Sequence, residues 1–117
     1  MKGILVNYEF CTGCHSCEVA CRNELGLKRG EYGIKVSEIG PWKYSVPVKS
    51  DTPFEWVYMP VLTRACNMCE DRVAMGKLPS CEQACQAWCI YHGEIEDLVK
   101  KMDGDSRWVL LTTKTAK

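Results

Sequence analysis

Nine of the 117 residues are cysteine, and eight of them fall into two runs of four. The first run is Cys11-x2-Cys14-x2-Cys17-x3-Cys21; the second is Cys66-x2-Cys69-x11-Cys81-x3-Cys85, with Cys89 four residues beyond it. Thiols in such numbers can pair as disulfides, hold zinc or carry iron and sulfide. Disulfides are disfavoured because the count is odd, no charged-then-apolar leader precedes Cys11, and the short spacings leave most pairs unable to bridge. Zinc needs two well separated pairs, which the crowded stretch from Cys11 to Cys21 does not provide. Iron-sulfur chemistry fits better. Three thiolates two residues apart let a tight loop wrap one 4Fe-4S cubane with backbone N–H groups turned toward the sulfurs, while the fourth lies on the following helix and points elsewhere.

The first run has the spacing of the bacterial ferredoxins and the second repeats the scheme with a longer middle. Arg22 and Gln86 stand where proline usually follows each fourth cysteine, so the turn there is not locked in the usual way. In ferredoxins the last cysteine of each run ligates the cluster of the other run. Cys11, Cys14, Cys17 and Cys85 are therefore expected to hold one cluster, and Cys21, Cys66, Cys69 and Cys81 the other. Cys89 competes with Cys85 as the distal ligand of the first cluster, because the cysteines of this segment recur at four-residue intervals. The x3 spacing from Cys81 copies that from Cys17 to Cys21 and favours Cys85, leaving Cys89 as a small buried apolar neighbour. His15 reads as an exposed loop imidazole, and His92 has no partner visible in sequence. Trp42, Trp56, Trp88 and Trp108 read mostly as packing.

The elements that must position these cysteines are short. Residues 2–8 read as a strand leading into the first run, followed by a helix with Ser16 as cap, Glu18 in its first turn and Gly26 as its stop, which places Cys17 and Cys21 on one face. Residues 31–65 read as a β-ribbon insertion: Ile34 and Val36 alternate with polar neighbours, Gly40-Pro41 and Thr52-Pro53 mark turns, and residues 54–62 are rich in aromatics and valine. Pro79 and Ser80 open a short helix carrying Cys81 and Cys85. Residues 94–103 carry Ile95, Leu98, Val99 and Met102 at helical spacing with Gly104 as the stop, and residues 107–113 form a last strand able to pair with the first. The expectation is one α+β domain over residues 1–117, dicluster ferredoxin-like with pseudo-twofold cysteine motifs, the ribbon inserted, and a helix and strand at residues 94–113.

The second run also resembles the iron-sulfur subunits of the molybdopterin oxidoreductases of the dimethyl sulfoxide reductase family. The residues that carry the resemblance are Pro60-Val61, Cys66-Asn67-Met68-Cys69-Glu70-Asp71, Pro79-Ser80-Cys81, Cys85 and the apolar pair Ile90-Tyr91. It covers residues 1–25 and 58–93 and is weak elsewhere. The resemblance implies a larger catalytic partner with a molybdenum or tungsten pterin centre, and a relay of single electrons between that partner and a soluble donor or acceptor. Family subunits often hold three or four clusters; this chain has cysteines for two.

Composition narrows the remaining classes. Fifteen basic and fifteen acidic residues give a formal charge of zero without blocks of like charge, which argues against nucleic acid. The apolar runs span only a few residues, too short for membrane insertion, and the lack of an export signal points to the cytoplasm. No nucleophile–base pair or phosphate loop stands out, so the chain is expected to transfer electrons rather than catalyse. A free dicluster ferredoxin shuttling between enzymes is the alternative to a subunit. The aromatic ribbon and the neutral charge favour the subunit. Trp42, Tyr44, Phe54, Trp56, Tyr58 and Met59, with Lys43, Lys49, Asp51 and Glu55 among them, form the expected docking surface.

Overall fold

In the computed structural model, which describes residues 2–48, 53–104 and 106–113, the chain is a mixed α+β arrangement of short elements. In order they are β1 (Lys2–Asn7), α1 (Ser16–Leu25), β2 (Ile34–Lys43), β3 (Phe54–Leu62), α2 (Glu70–Ala74), α3 (Ser80–Ala84), β4 (Ile90–Glu94), α4 (Ile95–Val99) and β5 (Trp108–Leu111). Lys49, Asp51 and Thr52 lie outside the described residues.

β1 is the central strand of a three-stranded antiparallel sheet, between β4 and β5. Its apolar run is buried on both faces, as a covered central strand requires, with Ile4, Leu5 and Val6 at 1% exposure or less. Ile4 and Val6 face the cysteines, packing with Cys17, Cys21, Cys81, Cys89 and Ile90. The opposite face carries α4. Gly3 and Gly93 pair directly across the sheet and leave space for it: a Cβ on Gly3 would stand 3.4 Å from Ile95.

The second sheet is the ribbon of β2 and β3. Ile34 opposite Leu62 and Val36 opposite Pro60 share one face of its base, and that face closes over the cysteine core. Gly40-Pro41 is not the turn expected from sequence. It forms a bulge inside β2, where the register shifts between Ile39 and Trp42. Gly40 has φ 103, and a Cβ there would strike the Glu55 carbonyl, so only glycine fits.

Several boundaries differ from the sequence expectation. The first strand ends at Asn7. Ser16 is the first helical residue of α1 rather than its cap; His15 holds the cap position with φ 63 and makes no side-chain cap bond. Gly26 does stop the helix, in the left-handed conformation, with its N–H on the Arg22 carbonyl. The helix expected over residues 94–103 is the single turn Ile95–Val99, because Glu94 belongs to β4 and the chain tightens at once into i+3 turns, Lys101 N–H to Leu98 O and Met102 N–H to Val99 O. That tightening takes Val99 and Met102 off the buried stripe. Only Leu98 is fully buried; Val99 and Met102 are 50% and 40% exposed. Strand β4 and helix α2 are additions to the expected elements.

Candidate metal-cluster site

The first cysteine loop joins β1 to α1 and runs through two left-handed residues, Gly13 at φ 73 and His15 at φ 63. Such reversals turn successive N–H groups toward one side, making a concavity suited to anionic sulfur. Gly13 N–H is directed at Cys11, Ser16 N–H at Cys14 and Glu18 N–H at Cys17. Gln86 N–H also reaches Cys14; a proline at that position would have no N–H to give. The second loop uses the same device. Met68 and Cys69 have φ 62 and 51, and Met68 N–H lies 3.5 Å from Cys66 Sγ.

Helices α1 and α3 pack against one another; α1 carries Cys17 and Cys21, whereas α3 carries Cys81 alone and, contrary to the sequence expectation, Cys85 is the extended residue that caps its C-terminus. Cys11, Cys14, Cys17 and Cys85 line one cavity, closed by Val36 and Pro60 from the ribbon base and by Ile90. Cys21 lies instead with Cys66 and Cys69, and Cys81 neighbours Cys69, Cys21 and Cys66 as well as Cys17 of the first group. Cys21 on α1 and Cys85 just past α3 thus each join the group of the other loop. The ninth cysteine is in the first cavity as well, with Cys89 Sγ 3.6 Å from Cys85 Sγ.

Burial and mutual proximity control the thiols. Burial, then Cys11, Glu18 and Cys85 nearby, push Cys17 up to about 12. Burial, then Cys66 and Cys69, push Cys21 up to about 11. Cys81 is raised by burial first and by neighbouring thiols second; Cys66 is raised by burial, against the Met68 N–H that lowers it, with Cys69 adding to the rise. The Cys89 thiol, hydrogen-bonded to Cys11, brings Cys11 down to about 6 against burial, and Cys89 itself is pushed up. Burial and crowding make such thiols resist ionising alone, the N–H donors favour the thiolate, and a bound metal releases their protons to solvent. Among the described residues no three His, Cys, Asp or Glu side chains converge on a single-ion site.

Three residues that the sequence left without a site role position these thiols. Gly33, just before β2, lies against Cys21, and a Cβ there would run into Cys21 Sγ. Tyr58 covers the first loop, its ring carbons 2.8 Å from where a Cβ on Gly13 would be. Glu18 is 5% exposed and accepts the Val36 N–H at 2.5 Å, with His15 Nδ1 at 2.9 Å and Lys35 Nζ at 3.4 Å. Burial acts to raise its carboxyl, but these three partners together hold it below the usual range. Gly33 left no trace in sequence, and Glu18 and Tyr58 stood out there only as a first-turn acid and a member of the expected docking surface. Those two depend on contacts across 18 residues or more.

The histidines and tryptophans also differ from expectation. His15 is exposed as expected, yet its ring is tied to Glu18. His92 does have a partner, Glu82 Oε1 at 2.6 Å from its Nδ1. Trp42, Trp56 and Trp88 are 47%, 58% and 79% exposed rather than packed; only Trp108 is half-buried, against Tyr91. A core built around cysteines leaves indole rings little room.

No known family model matches the chain, and no curated protein matches it. Among the described residues no helix is long and apolar enough to cross a membrane.

Proposed function

We propose that this chain is a dicluster ferredoxin-like electron-transfer subunit, non-catalytic in itself, that works with a larger molybdopterin-containing chain bearing molybdenum or tungsten. Cys11, Cys14, Cys17 and Cys85 hold one 4Fe-4S cluster; Cys21, Cys66, Cys69 and Cys81 hold the other. The observation that carries this reading is the exchange of Cys21 and Cys85 between the two groups, the arrangement that two interlocked ferredoxin motifs require. The donor set fits the group: all-thiol, largely buried, with backbone N–H groups on the sulfurs and a cradle at Gly33 that a side chain would fill.

When bound, each cluster supplies one-electron chemistry, at potentials that across such sites span about −700 to +450 mV. The chain's own residues set where in that span a site falls. N–H donors on sulfur favour the more negative, reduced state because they stabilise added electron density; burial without such donors opposes it. Cys21, Cys66, Cys69 and Cys81 are all at or below 9% exposure, whereas Cys14 is exposed, so the first loop is the edge a redox partner can approach. Beside it the ribbon presents Trp42, Phe54 and Trp56 about half-exposed, a patch of interface-type residues that supports docking to the catalytic chain.

Anaerobic purification with iron and sulfide analysis tests the cofactor: about eight irons per chain are expected, and a value near zero overturns the reading. A mild anaerobic pull-down tests the partner. Recovery of the chain alone, as a reversible one-electron carrier, replaces the subunit with a free ferredoxin.

A further inference from the structure

We propose that Cys89 is a reserve ligand for the first cluster, able to take the corner that Cys85 occupies, so that this site has five thiols for four places. The inference rests on the cluster-binding function proposed above. Cys85 Sγ and Cys89 Sγ are in contact at 3.6 Å. A cubane takes one thiolate on each of four irons. Two sulfurs in contact therefore face one corner rather than two.

The backbone brings them together. Helix α3 ends at Cys85, and the Trp88 N–H turns back to the Cys85 carbonyl at 3.4 Å, with Trp88 in the left-handed conformation at φ 56. The next residue is anchored from outside the segment: Asn7 N–H donates to the Cys89 carbonyl at 2.8 Å, holding Cys89 against the end of β1. Cys89 is 3% exposed and lines the same cavity as Cys11, Cys14 and Cys17. Cys89 belongs to the apolar core with Ile4, Val6 and Ile90, but an apolar filler has no need of thiol neighbours. This one touches two other thiols, Cys85 and Cys11.

Substitution of Cys85 separates a reserve ligand from a packed bystander. Wild type, Cys85→Ala, Cys85→Ser, Cys89→Ala and the double variant Cys85→Ala/Cys89→Ala are purified anaerobically, with iron and sulfide counted and the dithionite-reduced spectrum recorded by electron paramagnetic resonance. Each single variant is expected to keep about eight irons, the Cys85 variants with a shifted spectrum for one cluster, and the double variant about four. About four irons in the Cys85 variants beside eight in wild type overturns the reserve role and leaves the proposed function standing. Failure of both Cys85 variants to fold overturns it too, since a site with a reserve ligand keeps its cluster and its core. Wild type without iron or sulfide removes the proposed function itself.

Discussion

Glu18 accepts the backbone N–H of Val36 at 2.5 Å, pinning the helix that carries Cys17 and Cys21 to the strand that covers them. The carboxylate is buried and has three partners, so its loss leaves a β2 amide without an acceptor. Glu18→Ala is expected to cost about 1–3 kcal/mol of stability. Glu18→Gln, which keeps an acceptor oxygen, should recover part of that in urea unfolding of the loaded protein.

The exchange of cysteines between groups makes an asymmetric expectation. Cys21→Ser should disturb the cluster held with Cys66, Cys69 and Cys81 and spare the one bound by its own loop. Gly33→Ala should act on the same cluster without touching a ligand, because its Cβ displaces Cys21 Sγ. Both variants are expected to fall toward about four irons per chain with the first-loop signal intact. Loss of the first-loop signal alone would refute the exchange.

Arg107 joins the C-terminal segment to the ribbon through Glu55 and to the first loop through Glu9. Arg107 first, with the Tyr44 hydroxyl helping and burial opposing, holds the Glu55 carboxyl below the usual range. A depressed folded value gives stability that is full above the unfolded carboxylate value of about 4.3 and is lost as pH falls through the folded one. Arg107→Ala should therefore cost under about 1 kcal/mol near neutrality, as the pair is partly solvated. The gap between wild-type and variant urea midpoints should close as pH falls from about 7 to about 3. A gap that widens in acid would contradict this.

The ribbon surface can be tested against the alternative that it only shields the clusters. Trp42 packs edge-on to Tyr44, and Trp56 donates to Glu38 at 2.9 Å, so both indoles are held in place while staying exposed. Replacing Trp42 and Trp56 with serine should weaken capture of the catalytic partner by at least about tenfold and leave the iron content unchanged. Iron lost with the partner's affinity otherwise intact would identify a shield.

Chain-local features were legible in the sequence. The two runs of four cysteines, the α+β class, the ribbon and the existence of a last strand after Gly104 all follow from spacing and alternation over a few residues. Such signals survive because local geometry is set by neighbours in the chain. The helix at residues 94–103 failed for the opposite reason. Its period was helical, but β4 had already claimed Glu94 by pairing with Lys2, and only one turn remained.

What only the tertiary structure decided are relationships between distant segments. It put Cys89 in contact with Cys85, where four-residue spacing had left both open as ligands, because the chain turns back at Trp88 instead of continuing the helix. It buried Glu18 under β2 and set Gly33 against Cys21, contacts made by the ribbon folding over α1. It also left three tryptophans exposed. Residue type states what a side chain can bury; the space left by the cysteine-lined core determines which ones are buried.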